Sequence, residues 1–119
     1  MEKIIQNFLT ILNQLKMYHW TTDSYSRHKA FGKAYDELEE LVDEFVEILL
    51  SKIGKDIPSM NIKIFSSSDM DITSALNDIV SFLSKELPMI LDERDSDLLN
   101  IKDEMLAVVN RTKYLLTLS

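Results

Sequence analysis

An all-α fold, with four helices packed as one bundle and a single long crossover between the second and third, follows from three observations. Apolar residues recur at threes and fours through four long segments, the spacing of a helix with one buried face. Only two Gly and two Pro interrupt the 119 residues, so turns are few and elements are long. The segments are joined by connections of roughly seven, seventeen and five residues; a short link makes antiparallel neighbours, whereas the longest is able to carry the chain back along a whole helix.

Residues 2–20 form the first predicted helix, with Ile4, Ile5, Phe8, Ile11, Leu12, Leu15 and Tyr18 on one face and His19 at its end. Residues 21–27 are a polar link in which Asp23, Ser24 and Ser26 are cap and turn residues. Residues 28–53 form the longest helix. Its inner face carries Phe31, Tyr35, Leu38, Leu41, Val42, Phe45, Ile48, Leu49 and Ile53, and Gly54 is its natural C-cap. Residues 54–70 connect, broken by Pro58 and Ser66–Ser68. Residues 71–91 form a third helix, with Ile72, Ala75, Leu76, Ile79, Leu83, Leu87 and Ile90 inward. Pro88 removes one backbone bond and is expected to kink this helix near Ser84. Residues 92–96 turn, and residues 97–117 close the bundle with Leu98, Ile101, Met105, Val108, Val109, Thr112, Leu115 and Leu116 inward. The whole chain, 1–119, reads as one domain, large enough to bury a core unaided.

The net charge is −7 and no basic block is present. Nucleic-acid binding is not expected, because that affinity comes mainly from Lys and Arg neutralising phosphates. No apolar run approaches the ~20 residues of a membrane span, so no membrane partner is expected. The chain has no Cys, which removes disulfides and thiolate ligands; with no signal-peptide pattern at the start, a cytoplasmic location is expected.

Chemistry concentrates between Tyr18 and Glu47. This stretch holds both histidines, His19 and His28, and the single Trp20. Asp36, Glu40, Asp43 and Glu47 follow at i, i+4, i+7 and i+11, on a face nearly opposite the core. Histidines beside carboxylates are a usual ligand set for iron, manganese or zinc. His28 and Asp43 lie fifteen residues apart on one helix, roughly 22 Å at ~1.5 Å per residue, too far to share an ion within one chain. Two copies of the second helix packed antiparallel across a two-fold axis bring His28 of one chain to Asp43 and Glu47 of the other. The expected partner is therefore a second copy of this chain. Trp20 and Tyr25 are candidates for packing or ligand contact beside the site, and Asp36 and Glu40 are secondary ligand candidates. No catalytic residue is assigned.

The pattern His19-Trp20, a short polar loop, His28, then Asp43-x-x-x-Glu47 resembles the Dps-like branch of the ferritin superfamily. It is also similar to short phage and large-virus proteins with ferritin-like helices. The resemblance implies a ferritin-like four-helix bundle, with His19, His28, Asp43 and Glu47 as iron ligands at a two-fold subunit interface and Fe(II) oxidation as the activity. Zinc or manganese would suit the same donors. Where the family pattern has an Asp four residues after the second His, this chain has Gly32. The loop between the histidines is shorter by about three residues than the family's, and the family's basic N-terminal tail is missing. These departures support an alternative: a non-enzymatic ferritin-like oligomer of phage or viral origin, working in the host cytoplasm, whose pocket holds a small ligand or a host protein. Tyr18, His19, Trp20, Tyr25, Arg27 and His28 would suit a planar or anionic ligand.

Overall fold

The computed structural model describes residues 2–118. Among them the fold is all-helical, with no strand. Helix α1 spans Glu2–Thr21, α2 spans Tyr25–Ile53, and the last helix, α4, spans Ser96–Leu116. Between α2 and α4, α3 has three consecutive pieces: α-helical Ile72–Ser81, π-helical Phe82–Glu86 and α-helical Leu87–Ile90. No helix of the described residues is long and apolar enough to cross a membrane.

A π-helical turn occupies the place where a kink is expected around Pro88. Proline has no N–H, and its ring would press on the carbonyl four residues back, that of Ser84. Widening the turn by one residue relieves that contact, and the Leu87 N–H then bonds to the carbonyl of Phe82. The Ser84 hydroxyl donates to the Val80 carbonyl at 2.7 Å.

Helix α2 begins three residues earlier than the apolar pattern places it. The Ser24 side chain accepts from the Arg27 N–H at 3.2 Å, so this cap, rather than the first buried residue, sets the start. The link between α1 and α2 shrinks to residues 22–24. Their antiparallel contact is marked by Tyr18 on Phe31, with ring centroids 5.6 Å apart, and Phe8 on Phe45 at 5.0 Å. Phe8 also meets Phe82 of α3 edge-on at 5.8 Å, so one ring ties three helices together. Such aromatic pairs add about 0.5–1.5 kcal/mol each beyond burial.

Helices α2 and α4 are antiparallel, joined at one end by Lys52, whose ammonium lies 3.0 Å from Asp95 and 2.8 Å from Asp97. Arg111 pairs with Glu37 towards the other end. The hydrogen bonds to Asp97 and then Asp95 raise the Lys52 pKa, and the bond from Lys52 holds the Asp97 carboxyl below its ordinary value. A depressed carboxyl contributes stability that is complete above its unfolded pKa and lost as pH falls through the folded one. The contribution of Asp97 should therefore vanish only below about pH 4. Lys52→Met is expected to remove this contribution, lowering stability at neutral pH and flattening the acid limb, as thermal melts between about pH 6 and pH 3 would read it.

Residues 54–71 lie against α1. The Gln6 amide donates to the Asn61 carbonyl at 2.7 Å. Gln14 is 5% exposed and grips Phe65 twice: its amide donates to the Phe65 carbonyl at 2.8 Å and its oxygen accepts the Phe65 N–H at 2.9 Å. The Tyr18 hydroxyl faces the Met70 carbonyl at 3.4 Å. Removing a side chain that satisfies two backbone groups leaves them unpaired, at a cost of about 1–3 kcal/mol. Gln14→Leu is expected to lower stability by that amount and to speed hydrogen exchange at the Phe65 amide far more than at Phe45.

Candidate functional site

The end of α1 and the start of α2 lock together through the two histidines. His19 sits in the last turn of α1 and His28 in the first turn of α2. Their rings stack with centroids 3.9 Å apart and planes inclined by 18°. The His19 Nδ1 lies 2.7 Å from the His28 carbonyl, and the His28 Nδ1 lies 2.8 Å from the His19 carbonyl. A carbonyl only accepts, so both Nδ1 atoms carry the proton. That fixes the tautomer of each ring and leaves Nε2 as the nitrogen with an open lone pair. The bond from His28 also satisfies a carbonyl in the last turn of α1, which has no partner inside its own helix.

Gly32 makes this packing possible. A Cβ at position 32 would lie 2.9 Å from the His19 Cε1 and 3.0 Å from its Nδ1, well inside ordinary carbon contact of about 3.5–4.0 Å. Its φ is not in the left-handed region, so space, and not backbone conformation, is what requires glycine. The resemblance to the Dps-like branch makes Gly32 a missing carboxylate; in the structure it is the seat of an imidazole. A glycine well inside a 29-residue helix was the available signal, since it weakens the helix by about 1 kcal/mol relative to Ala and marks a close approach.

Around the pair lies an open groove of about 460 Å³, walled by His19, His28, Lys29, Lys33, Asp36 and Glu37. Both histidines are half-buried, and Asp36 is exposed beside them. Lys33 and Glu37 did not figure among the sequence-derived candidates, because neither residue type stands out on a charged helix. The Tyr25 ring stacks at 6.3 Å from His28 and is 73% exposed. Trp20 is 67% exposed, and the Lys16 ammonium lies 5.9 Å from its ring and 4.0 Å from that of Tyr35. The Tyr35 hydroxyl is pushed above its ordinary pKa, first by burial and then by Glu39, Asp36 and Asp43. Stability tied to Tyr35 would thus be lost only as pH climbs past its unfolded value of about 10.

Glu40, Asp43 and Glu47 all stand exposed further along α2. The structure brings His19, His28 and Asp36 to one groove and leaves Asp43 and Glu47 turns away on the same helix. Among the described residues of one chain, no three His, Asp or Glu side chains group so as to hold a metal ion.

The chain is similar to an uncharacterized 14.6 kDa protein encoded in the mobD-ri intergenic region of Enterobacteria phage T4: 27% identity over 103 residues, spanning 84% of this chain and 74% of that one. No solved structure matches it. A family model, Family of unknown function (DUF5856), matches residues 19–116, a span that opens on His19 and takes in the whole groove. The chain belongs to this family.

Proposed function

We propose that the protein is a metal-binding bundle of ferritin-like arrangement, which completes its site by pairing with a second copy of itself, and that iron is its cation. The observation that carries the reading is the reciprocal histidine lock. Metal-binding histidines commonly donate the nitrogen they do not use to a carbonyl or carboxylate, which fixes the ring and makes the other nitrogen a better ligand. Here both rings are held so, 3.9 Å apart. The two imidazoles would supply the nitrogen donors, and the oxygen donors would be Asp43 and Glu47 of a second copy. Bound iron would supply redox chemistry towards oxygen or peroxide; the residues of this chain hold and orient it.

The ferritin-like arrangement is supported by helix direction. Contacts of Phe8 with Phe45 and of Tyr18 with Phe31 set α2 against α1 head to tail; Phe8 with Phe82, and Tyr18 with Met70 just ahead of α3, do the same for α3. Helices α2 and α3 then run the same way, and residues 54–71 serve as the one long crossover.

Pairing of copies is supported by charge. The exposed stripe of α2 reads Lys29, Lys33, Asp36, Glu40, Asp43, Glu47 at spacings of four and three. Its first two residues are basic and the four that follow are acidic, so its two ends complement each other only when antiparallel. The register that sets Lys29 against Glu47 and Lys33 against Asp43 also brings His28 to the same pair of carboxylates. Asp36 and Glu40 meet near the axis. The T4 relative supports a setting in the cytoplasm of a phage-infected cell.

A second reading, a non-enzymatic oligomeric binding module for a small ligand or host protein, draws on Gly32 and on the two lysines in the groove wall. One set of measurements separates them. The protein is purified without chelator, its metal content and solution mass are determined, and anaerobic Fe(II) is added, then oxygen. The expected result is a dimer or larger assembly that retains iron, develops near-ultraviolet absorbance and loses both properties of the metal in His19→Ala and His28→Ala. A monomer at every concentration overturns the pairing, and iron uptake equal in wild type and both variants overturns the metal reading.

A further inference from the structure

The histidine end of the bundle carries a second concavity, separate from the groove, where the start of α2, the start of α3 and the end of α4 meet. It encloses about 440 Å³ between Arg27, Thr73, Lys113, Tyr114 and Thr117, over a floor of Leu76 and Leu116. Among the described residues no carboxylate lines it, although the chain has 20 Asp and Glu against 13 Lys and Arg. Three elements distant in sequence thus bring two cations, two hydroxyls and a phenol to one apolar floor.

We infer that this concavity binds a small aromatic phosphate monoester. The Arg27 guanidinium offers five N–H donors in a planar fork, so it is able to hold phosphate oxygens alongside its contacts within the protein. Lys113 adds a point charge from α4. Thr73 is the second residue of the ten-residue segment Ile72–Ser81, where backbone N–H groups lack intrahelical partners and favour an anion. The neighbouring carboxylate, that of the capping Asp71, accepts from the Ser74 N–H at 3.2 Å.

The rest of the lining argues for an aromatic body on the anion. Leu76 is 2% exposed and Tyr114 is 62% exposed, which gives a dry floor and a ring free to stack at the rim. A bare phosphate would leave both unused. The volume falls in the range of about 300–1,000 Å³ usual for small-ligand sites. The site shares no wall with the histidine groove, so the inference does not rest on the metal reading.

The test titrates the full-length protein with phenyl phosphate, inorganic phosphate and phenol, following affinity by calorimetry and the Thr73 and Lys113 amides by NMR. Phenyl phosphate is expected to saturate at least tenfold more tightly than either fragment and to shift both amides. Its affinity should fall tenfold or more in Lys113→Gln and in Arg27→Lys, which keeps the charge and loses the fork. His19→Ala should leave it unchanged. Phenyl phosphate that binds no better than phenol or inorganic phosphate, or equally well to Lys113→Gln, overturns the proposal. Circular dichroism checks each variant's fold; should Arg27→Lys unfold, Lys113→Gln decides alone.

Discussion

Changing Lys29 and Lys33 to Glu is expected to leave the protein folded and monomeric, and adding Asp43→Lys and Glu47→Lys to the same chain is expected to restore the dimer. In the proposed antiparallel pairing each of the two lysines would face a carboxylate of the other copy, and two-fold symmetry would repeat both pairs. The first change turns all of them into like-charge contacts, which cost several kcal/mol together. A loss of at least about 100-fold in dimer affinity, on the order of 3 kcal/mol, follows. The second change exchanges the charges of the two ends of the stripe, so complementarity returns with its signs inverted. The isolated bundle should barely notice either change, because all four side chains are exposed and surface substitutions usually stay within about 0.5 kcal/mol. Sedimentation over a concentration series, at low and high salt, reads the result. Equal masses for all three proteins would sink the self-pairing of α2.

The four helices were legible in the sequence because their burial patterns are long and regular, from Ile4 to Tyr18 and from Leu98 to Thr112. Where a local hydrogen bond competes with that pattern, the reading slipped. Ser24 starts α2 at Tyr25, ahead of the first buried side chain, because capping is set by one hydroxyl and not by periodicity. Ile53 and Ile90 match the inner faces by spacing yet are 41% and 43% exposed, since both lie at helix ends, where the neighbouring helix has already turned away. Gln14 was invisible for the opposite reason. A polar residue on an apolar face is buried only if something satisfies it, and its partner, Phe65, is 51 residues away. The approach of His19 to His28 followed from the short link between them. The exchange of bonds between each ring and the other's carbonyl did not, because it depends on the space above Gly32.

That space sets up the sharpest test of the groove. Gly32→Asp installs the carboxylate that Dps-like proteins carry at this position, so a reading by resemblance expects tighter metal binding. The structure leads to the opposite expectation. Any Cβ at position 32 comes within 2.9 Å of the His19 ring; the ring must leave, and with it go its bond to the His28 carbonyl and the stack. One oriented imidazole is lost for one new carboxylate, and loss of a ligand's orientation typically costs 10–100-fold in metal affinity, about 1.4–2.7 kcal/mol. Gly32→Ala separates site from fold. It should lose the same metal affinity, while the gain of about 1 kcal/mol from helix propensity offsets the broken histidine bond and holds the melting temperature nearly still. In a His19→Ala background the obstacle is gone, and Gly32→Ala should then stabilise by that full ~1 kcal/mol. This change of sign reports directly on contact between position 32 and the ring. The Nδ1-bound proton of His19, observed by NMR, should disappear in both single variants whether or not metal is present. Persistence of that proton in Gly32→Ala, or a Gly32→Asp protein that binds iron more tightly than wild type, would show that His19 has room to move and that Gly32 is a lost ligand after all.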